Sequence, residues 1–250
     1  MRFSVEYEEA FSALLQKIGA WKPGRGKAMQ LAACWPQVGA DFLRDEGMLV
    51  IGRAPNGYGT PFEAEEVRDE GKCRSLAAQC RALGEGREPL GWVHDVPTGY
   101  KKGGTIASRS AFWRVTRAFL AQVQGGEVPP GSDWHRRLAW SNLMKVAPAT
   151  GGNPSGTLCG CQRDGCIRLL GVELKELQPR YVLVIAGRDW YSSFLEGLGV
   201  GESERPVGRL VSRLATGTQK WILTVRPEGK GESEFASEIA LAIQELNASP

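Results

Sequence analysis

Apolar residues recur along this chain in two styles: short unbroken runs and longer stripes at helical spacing. Residues 48–51, Met-Leu-Val-Ile, are four apolar positions in a row, closed by Gly52, Pro55 and Gly57. A short apolar run stopped by turn residues predicts a strand buried on both faces, as in a parallel sheet. Residues 181–186, Tyr-Val-Leu-Val-Ile-Ala before Gly187, are the cleanest such run. Residues 138–146, Leu-Ala-Trp-Ser-Asn-Leu-Met-Lys-Val, closed by Ala147-Pro148, and 221–225, Trp-Ile-Leu-Thr-Val, complete a set of four.

Between these runs the spacing lengthens. Val5, Ala10, Phe11, Leu14, Leu15 and Ile18 predict a helix over 5–18, broken by Lys22-Pro23-Gly24. A second helix is expected over 27–43 with Pro36 as an interruption. Further helices are expected over 62–83, 106–123, 162–177, 189–198 and 234–246, and a short helix or strand over 209–214. Gly-, Ser- and Pro-rich stretches at 84–100, 125–132, 149–160 and 199–208 read as loops. Strands alternating with helices predict an α/β protein: a single three-layer α/β/α domain with a central, mostly parallel four-stranded sheet. The N-terminal helices within 1–44 would pack on that core. In such sheets ligands bind at the carboxyl ends of the strands, which draws attention to the 52–57 turn.

Composition narrows the function only slightly. The 250 residues are 42% apolar and 24% charged, as in ordinary soluble proteins. No window holds the apolar run that a membrane span needs, and the N-terminus lacks the apolar core of a signal peptide, so a cytoplasmic protein is expected. A net charge of +3 is too small to argue for nucleic acid. Its distribution says more: no acid lies between Asp95 and Glu127, while Lys101, Lys102, Arg109, Arg114 and Arg117 do. This tract reads either as a phosphate-facing surface, with Lys101, Lys102 and Arg109 as the candidates, or as a solvated helix face. Ser108-Arg109-Ser110 would cap the following helix at its positive end.

The six cysteines, Cys34, Cys73, Cys80, Cys159, Cys161 and Cys166, are expected to be reduced. C-x-C-x4-C is not a zinc spacing, and the two histidines, His94 and His135, lie far from it, so buried or idle thiols are expected and no metal. Gly24-Arg25-Gly26-Lys27 lacks both the spacing of a phosphate loop and a preceding strand. Asn142 stands out inside its apolar run, because a buried amide needs partners. It either bonds neighbouring backbone or is aimed at a ligand.

The order of the motifs is distinctive. One strand ends in Gly52-x-Ala54-Pro55, and the next carries Asn142-x-x-Lys145-x-x-Pro148. A helix follows with Leu170-x-x-Glu173-Leu174-x-x-Leu177-x-Pro179, then an apolar strand ending at Gly187. Over roughly residues 45–230 this resembles the uracil-DNA glycosylase superfamily, and most closely the branch whose first motif reads Gly-Glu-Ala-Pro-Gly. In that family the first loop places the attacking water, or the group that activates it, beside the sugar. Here Arg53 occupies the Glu position and Ala54 the position that is Asp or Asn in other branches, so the motif holds no acid. Asn142 matches the Asn that bonds the flipped base, and an amide offers the donor and acceptor that a uracil edge requires. Arg226 in Arg226-Pro227-Glu228-Gly229 replaces the histidine that stabilises the departing base, and an arginine can also hold an anion. Asn153-Pro154-Ser155-Gly156 looks like the second motif of another branch but precedes the third strand, so it reads as loop. The iron–sulfur branches need thiolates where Lys145-Val146-Ala147-Pro148 has none, so no cluster is expected.

The resemblance thus implies a DNA base glycosylase, or a catalytically silent nucleotide- or nucleic-acid-binding protein. Gly52, Arg53, Ala54, Pro55, Asn56 and Asn142 would hold the base, and Arg226 would stabilise its departure. Glu63 or Glu65 could supply a carboxylate from outside the motifs. No cofactor and no membrane is expected; DNA or a nucleotide is the expected partner of a monomer.

Overall fold

All four apolar runs contribute a strand to one sheet in the computed structural model, which describes residues 2–22, 29–44, 46–94, 96, 109–126, 128, 132–200 and 204–248. The run expected as one strand over 138–146 breaks after Asn142, and its Val146 falls in a second sheet. Among these the helices are α1 (Val5–Ala20), α2 (Glu70–Gly84), α3 (Ala111–Gln124), α4 (Gly156–Leu177), α5 (Arg188–Gly197) and α6 (Glu232–Ala248). The strands are β1 (Gln30–Ala33), β2 (Gln37–Val38), β3 (Met48–Gly52), β4 (Thr60–Glu63), β5 (Leu138–Asn142), β6 (Val146–Pro148), β7 (Tyr181–Ile185), β8 (Arg205–Pro206), β9 (Val211–Thr216) and β10 (Gln219–Thr224). No helix among the described residues is long and apolar enough to cross a membrane.

The sheet has seven strands in the order β2-β5-β3-β7-β10-β9-β8 and is mixed, where four mostly parallel strands were expected. β7 lies between β3 and β10 and is parallel to both, with Met48 and Lys220 opposite Tyr181. Every residue of β3 and β7 is buried, as unbroken apolar runs require. The extra strands come from weaker sequence signals. β9 turns back antiparallel onto β10 across Gly217 and Thr218, and Gly217 takes φ +55, as a two-residue hairpin demands. That turn settles residues 209–214 as mostly strand. The first β5 residues are preceded by a 3-10 turn, Trp134–Arg137.

The largest correction falls on residues 27–43. The expected second helix is absent from the described part; Leu31, Ala32 and Ala33 form the centre of a second, three-stranded sheet of order β4-β1-β6. β1 is antiparallel to both neighbours, with Leu31 opposite Phe62 and Pro148. A short apolar run fits a strand or a helix by periodicity, and here the pairing partners decide. Residues 62–83 likewise divide into the end of β4, a 3-10 turn and α2, which starts where Asp69 accepts the Lys72 N–H at 2.8 Å. α4 begins earlier than expected because the Ser155 hydroxyl accepts the Leu158 N–H at 3.3 Å.

The chain divides into two compact units. The first comprises 1–37, 52–87 and 141–177, and contains the three-stranded sheet, α1, α2 and α4. Tyr7, Phe11 and Trp35 form its aromatic core, with ring centroids of Tyr7 and Phe11 at 4.7 and 5.0 Å from Trp35. α1 closes against α4 where Gly165 leaves room for Leu14. The second comprises 38–51, 88–140 and 178–250, in which α6 packs on α3, β9 and β10.

His135, in the second unit, is buried and its Nδ1 meets no hydrogen-bond partner among the described residues. Burial depresses the imidazole below its usual 6.5. The folded state therefore binds this proton less readily than the unfolded chain. Stability from this group is present above pH 6.5 and is lost as pH falls toward the depressed value. Denaturation midpoints across that window should fall with decreasing pH, and a His135→Leu variant should flatten the slope.

Candidate functional site

The 52–59 loop is built by its backbone. Asn56 adopts φ +52, a left-handed conformation that Asn tolerates, and its Oδ1 accepts the Gly152 N–H at 2.8 Å. Tyr58 N–H returns to the Pro55 carbonyl at 3.0 Å. Gly59 has φ +127, and a Cβ there would run into the Ala33 carbonyl, so only glycine fits. The Tyr58 hydroxyl accepts from the Gln37 amide, and burial raises its phenol to about 12. The loop is thus pinned at both ends while Arg53 and Ala54 remain half-buried.

Asn142 is the last residue of β5, and the chain turns immediately after it. Leu143 and Met144 donate their N–H groups to the carbonyls of Gly52 and Arg53 at 2.8 and 2.9 Å. The two segments that the resemblance singled out are therefore laced together through main chain. The Asn142 side chain is 2% exposed, and the contact its amide makes is to the Cys34 sulfur at 3.9 Å. Its amide oxygen receives no donor among the described residues. A thiol at that distance is a poor substitute for an oxygen or nitrogen partner. The Asn142 amide thus has only a thiol as its side-chain partner, at the strand end whose next two residues are tied to Gly52 and Arg53.

Beneath Asn142 lies a buried polar cluster whose roles were not anticipated. Lys145 is 1% exposed and Glu173 is fully buried. Lys145 Nζ lies 2.7 Å from Glu173 Oε1, and donates to Ser141 Oγ and to the Asn142 carbonyl, each also at 2.7 Å. Tyr7 donates its hydroxyl to Glu173 Oε1 at 2.7 Å. Glu173 Oε2 finds no hydrogen-bond partner among the described residues. Gln162 closes the other side, accepting the Val146 N–H at 2.9 Å and donating to the Val146 carbonyl at 2.8 Å. Burial holds Tyr7 well above the ordinary phenol range. It raises Cys34 and Cys166 to about 12 despite the nearby Lys145 ammonium, so neither is a ready nucleophile. The sequence carried one clue: Gln162 and Glu173 interrupt the stripe of Leu158, Cys166, Leu169, Leu170 and Leu177 on the buried face of α4.

The other candidates are distributed differently. Arg226, in the second unit, is about half-exposed and binds Glu228 through Nε at 3.0 Å and Nη2 at 2.7 Å. Arg109 is exposed just before α3; Lys101, Lys102 and the Gly24–Lys27 string lie outside the described residues. Arg114 and Arg117 are not a phosphate surface, since both are buried. Arg114 pairs with Glu232 at 2.6 Å, and Arg117 donates to the carbonyls of Val96 and Val128. Glu63 and Glu65 are exposed. Cys159 and Cys161 donate to the Pro154 and Lys17 carbonyls, and no group of three metal-ligating side chains occurs among the described residues. No protein-family model matches this chain, and no curated protein matches it.

Proposed function

We propose that this chain is a uracil-DNA glycosylase-like protein that receives a flipped base through the 52–56 loop and Asn142 and cleaves its N-glycosidic bond. The observation that carries the reading is Asn142, a buried amide with only a distant thiol at hand, placed where β5 ends beside Gly52. An amide whose donor meets only a thiol at 3.9 Å can exchange that weak contact for a stronger ligand partner. A nucleobase edge presents the complementary pair. The resemblance carries with it a single three-layer α/β/α domain, DNA as partner and no cofactor. Departure of a stabilised base anion is aided by fixed charge alone, so electrostatics would provide part of the rate without a motif acid.

One observation favours a second reading, base or nucleotide binding without cleavage. The Arg226 guanidinium is already held by the carboxylate of Glu228, which offsets the charge a departing base would need. Labelled oligonucleotides carrying one uracil, hypoxanthine or xanthine separate the two. Abasic sites that disappear with Asn142→Ala and Arg226→Ala support the glycosylase. Preferential binding without abasic product, lost in Asn142→Ala but kept in Arg226→Ala, supports the silent binder. Equal affinity for modified and unmodified strands in wild type and Asn142→Ala alike would remove both.

A further inference from the structure

Lys145 has three N–H donors, and its partners account for all of them. One goes to Glu173; the other two go to Ser141 and Asn142, the last two residues of β5. A buried ion pair whose purpose is stability alone is replaceable by apolar side chains of similar volume, often without loss. This one is directed instead at the strand end that carries the Asn142 amide, whose own partner is the Cys34 thiol. Tyr7 adds a second hydrogen bond to the same Glu173 oxygen, and the remaining oxygen stays unpartnered, so the carboxylate is turned toward Lys145. With Leu143 and Met144 tied to Gly52 and Arg53, the Asn142 peptide is gripped from both sides.

We propose that Lys145 is the positioning residue of this site: held by Glu173 and Tyr7, it fixes the Asn142 main chain so that the side-chain amide meets the base edge in one orientation. The proposal rests on the base-recognition reading for its purpose, but the geometry it asserts is measurable without it. Burial of three polar side chains for this end explains why the cluster lies under Asn142 rather than elsewhere in the core. The ammonium touches no base; it acts through the amide.

The test compares wild type, Asn142→Ala, Glu173→Gln and the triple variant Y7F/K145M/E173M, which removes the network at nearly constant volume. Two readouts are taken. The first is the binding preference for a single-stranded oligonucleotide with one deoxyuridine over the same strand with thymidine. The second is the side-chain amide resonance of Asn142, assigned by its loss in Asn142→Ala. The triple variant is expected to keep wild-type circular dichroism and cooperative melting at a slightly lower temperature, yet lose about tenfold in preference, the size of one hydrogen bond of about 1.4 kcal/mol. Its Asn142 amide resonance should move and broaden, and that of Glu173→Gln should move in the same sense. An Asn142 resonance unchanged in both variants overturns the proposal. So does a triple variant that retains the full preference. A wild-type protein with no preference would sink the base reading, and the amide resonance would then decide the positioning role by itself. Should the triple variant not fold, Glu173→Gln, which preserves shape, decides the positioning role through the same resonance.

Discussion

Lys145→Met alone should lower the unfolding free energy by about 3–5 kcal/mol, because it leaves the Glu173 carboxylate fully buried without its counter-charge. Among the described residues Tyr7 would remain as the donor to that carboxylate. The loss is expected as a drop in urea midpoint at unchanged denaturant slope. Adding Y7F and E173M to the single change should restore most of it, since the orphaned charge is then gone. A Lys145→Met protein within about 1 kcal/mol of wild type would mean that water or another donor reaches the carboxylate. The comparison of single and triple variants thus separates the penalty of an unpaired charge from the net contribution of the network.

Gln162→Leu should cost about 2–4 kcal/mol, the second-largest effect expected of a single change. The Gln162 amide satisfies both the N–H and the carbonyl of Val146 within a buried environment. Leucine fills similar space but leaves two main-chain groups without partners at about 1–3 kcal/mol each. It also removes the acceptor of the Cys166 thiol at 3.5 Å. Val146 opens β6, and its carbonyl and N–H lie where the chain passes from one sheet to the other. Hydrogen exchange at the Val146 amide should accelerate by the same free energy if this clamp holds the strand in place. Unchanged protection at Val146 would show that other contacts hold β6 there.

The four sheet strands at 48, 138, 181 and 219 were readable because they are unbroken apolar runs bounded by glycine or proline. The helices at 5–20, 188–197 and 232–248 were readable within about two residues for the same reason, their stripes being long, whereas those at 70–84 and 156–177 were misplaced by six to eight residues at their starts. Residues 30–33 were not. Gln-Leu-Ala-Ala satisfies either period, and only β4 and β6, from distant parts of the chain, make it a strand. β9 was half legible: residues 209–214 fit either a short helix or a strand, because Ser212, Arg213 and Thr216 dilute the alternation.

The candidate site divides in the same way. Asn142 could be singled out from its residue type in an apolar strand, and its burial agrees with that choice. Arg114 and Arg117 show the opposite case. As sequence they are members of a basic tract, while in the structure each is buried against its own partner. Charge counted along a chain cannot tell a solvated guanidinium from one that ties two segments together. Lys145 and Glu173 each interrupt an apolar pattern, but their pairing was not readable, because the two lie 28 positions apart and only the fold brings them together.

What the sequence by itself determined is the alternation of apolar strands and amphipathic helices, the turn chemistry at Gly52, Pro55 and Gly57, and the presence of one amide in a strand that should be apolar. These are local properties, set by side-chain period and backbone preference. Only the tertiary structure decided that β1 is a strand, that the main sheet is mixed, and that a lysine, a glutamate and a tyrosine from three separate segments meet beneath Asn142. Those outcomes depend on which distant groups become neighbours, and burial then makes each unpaired polar atom costly enough to fix the pairing.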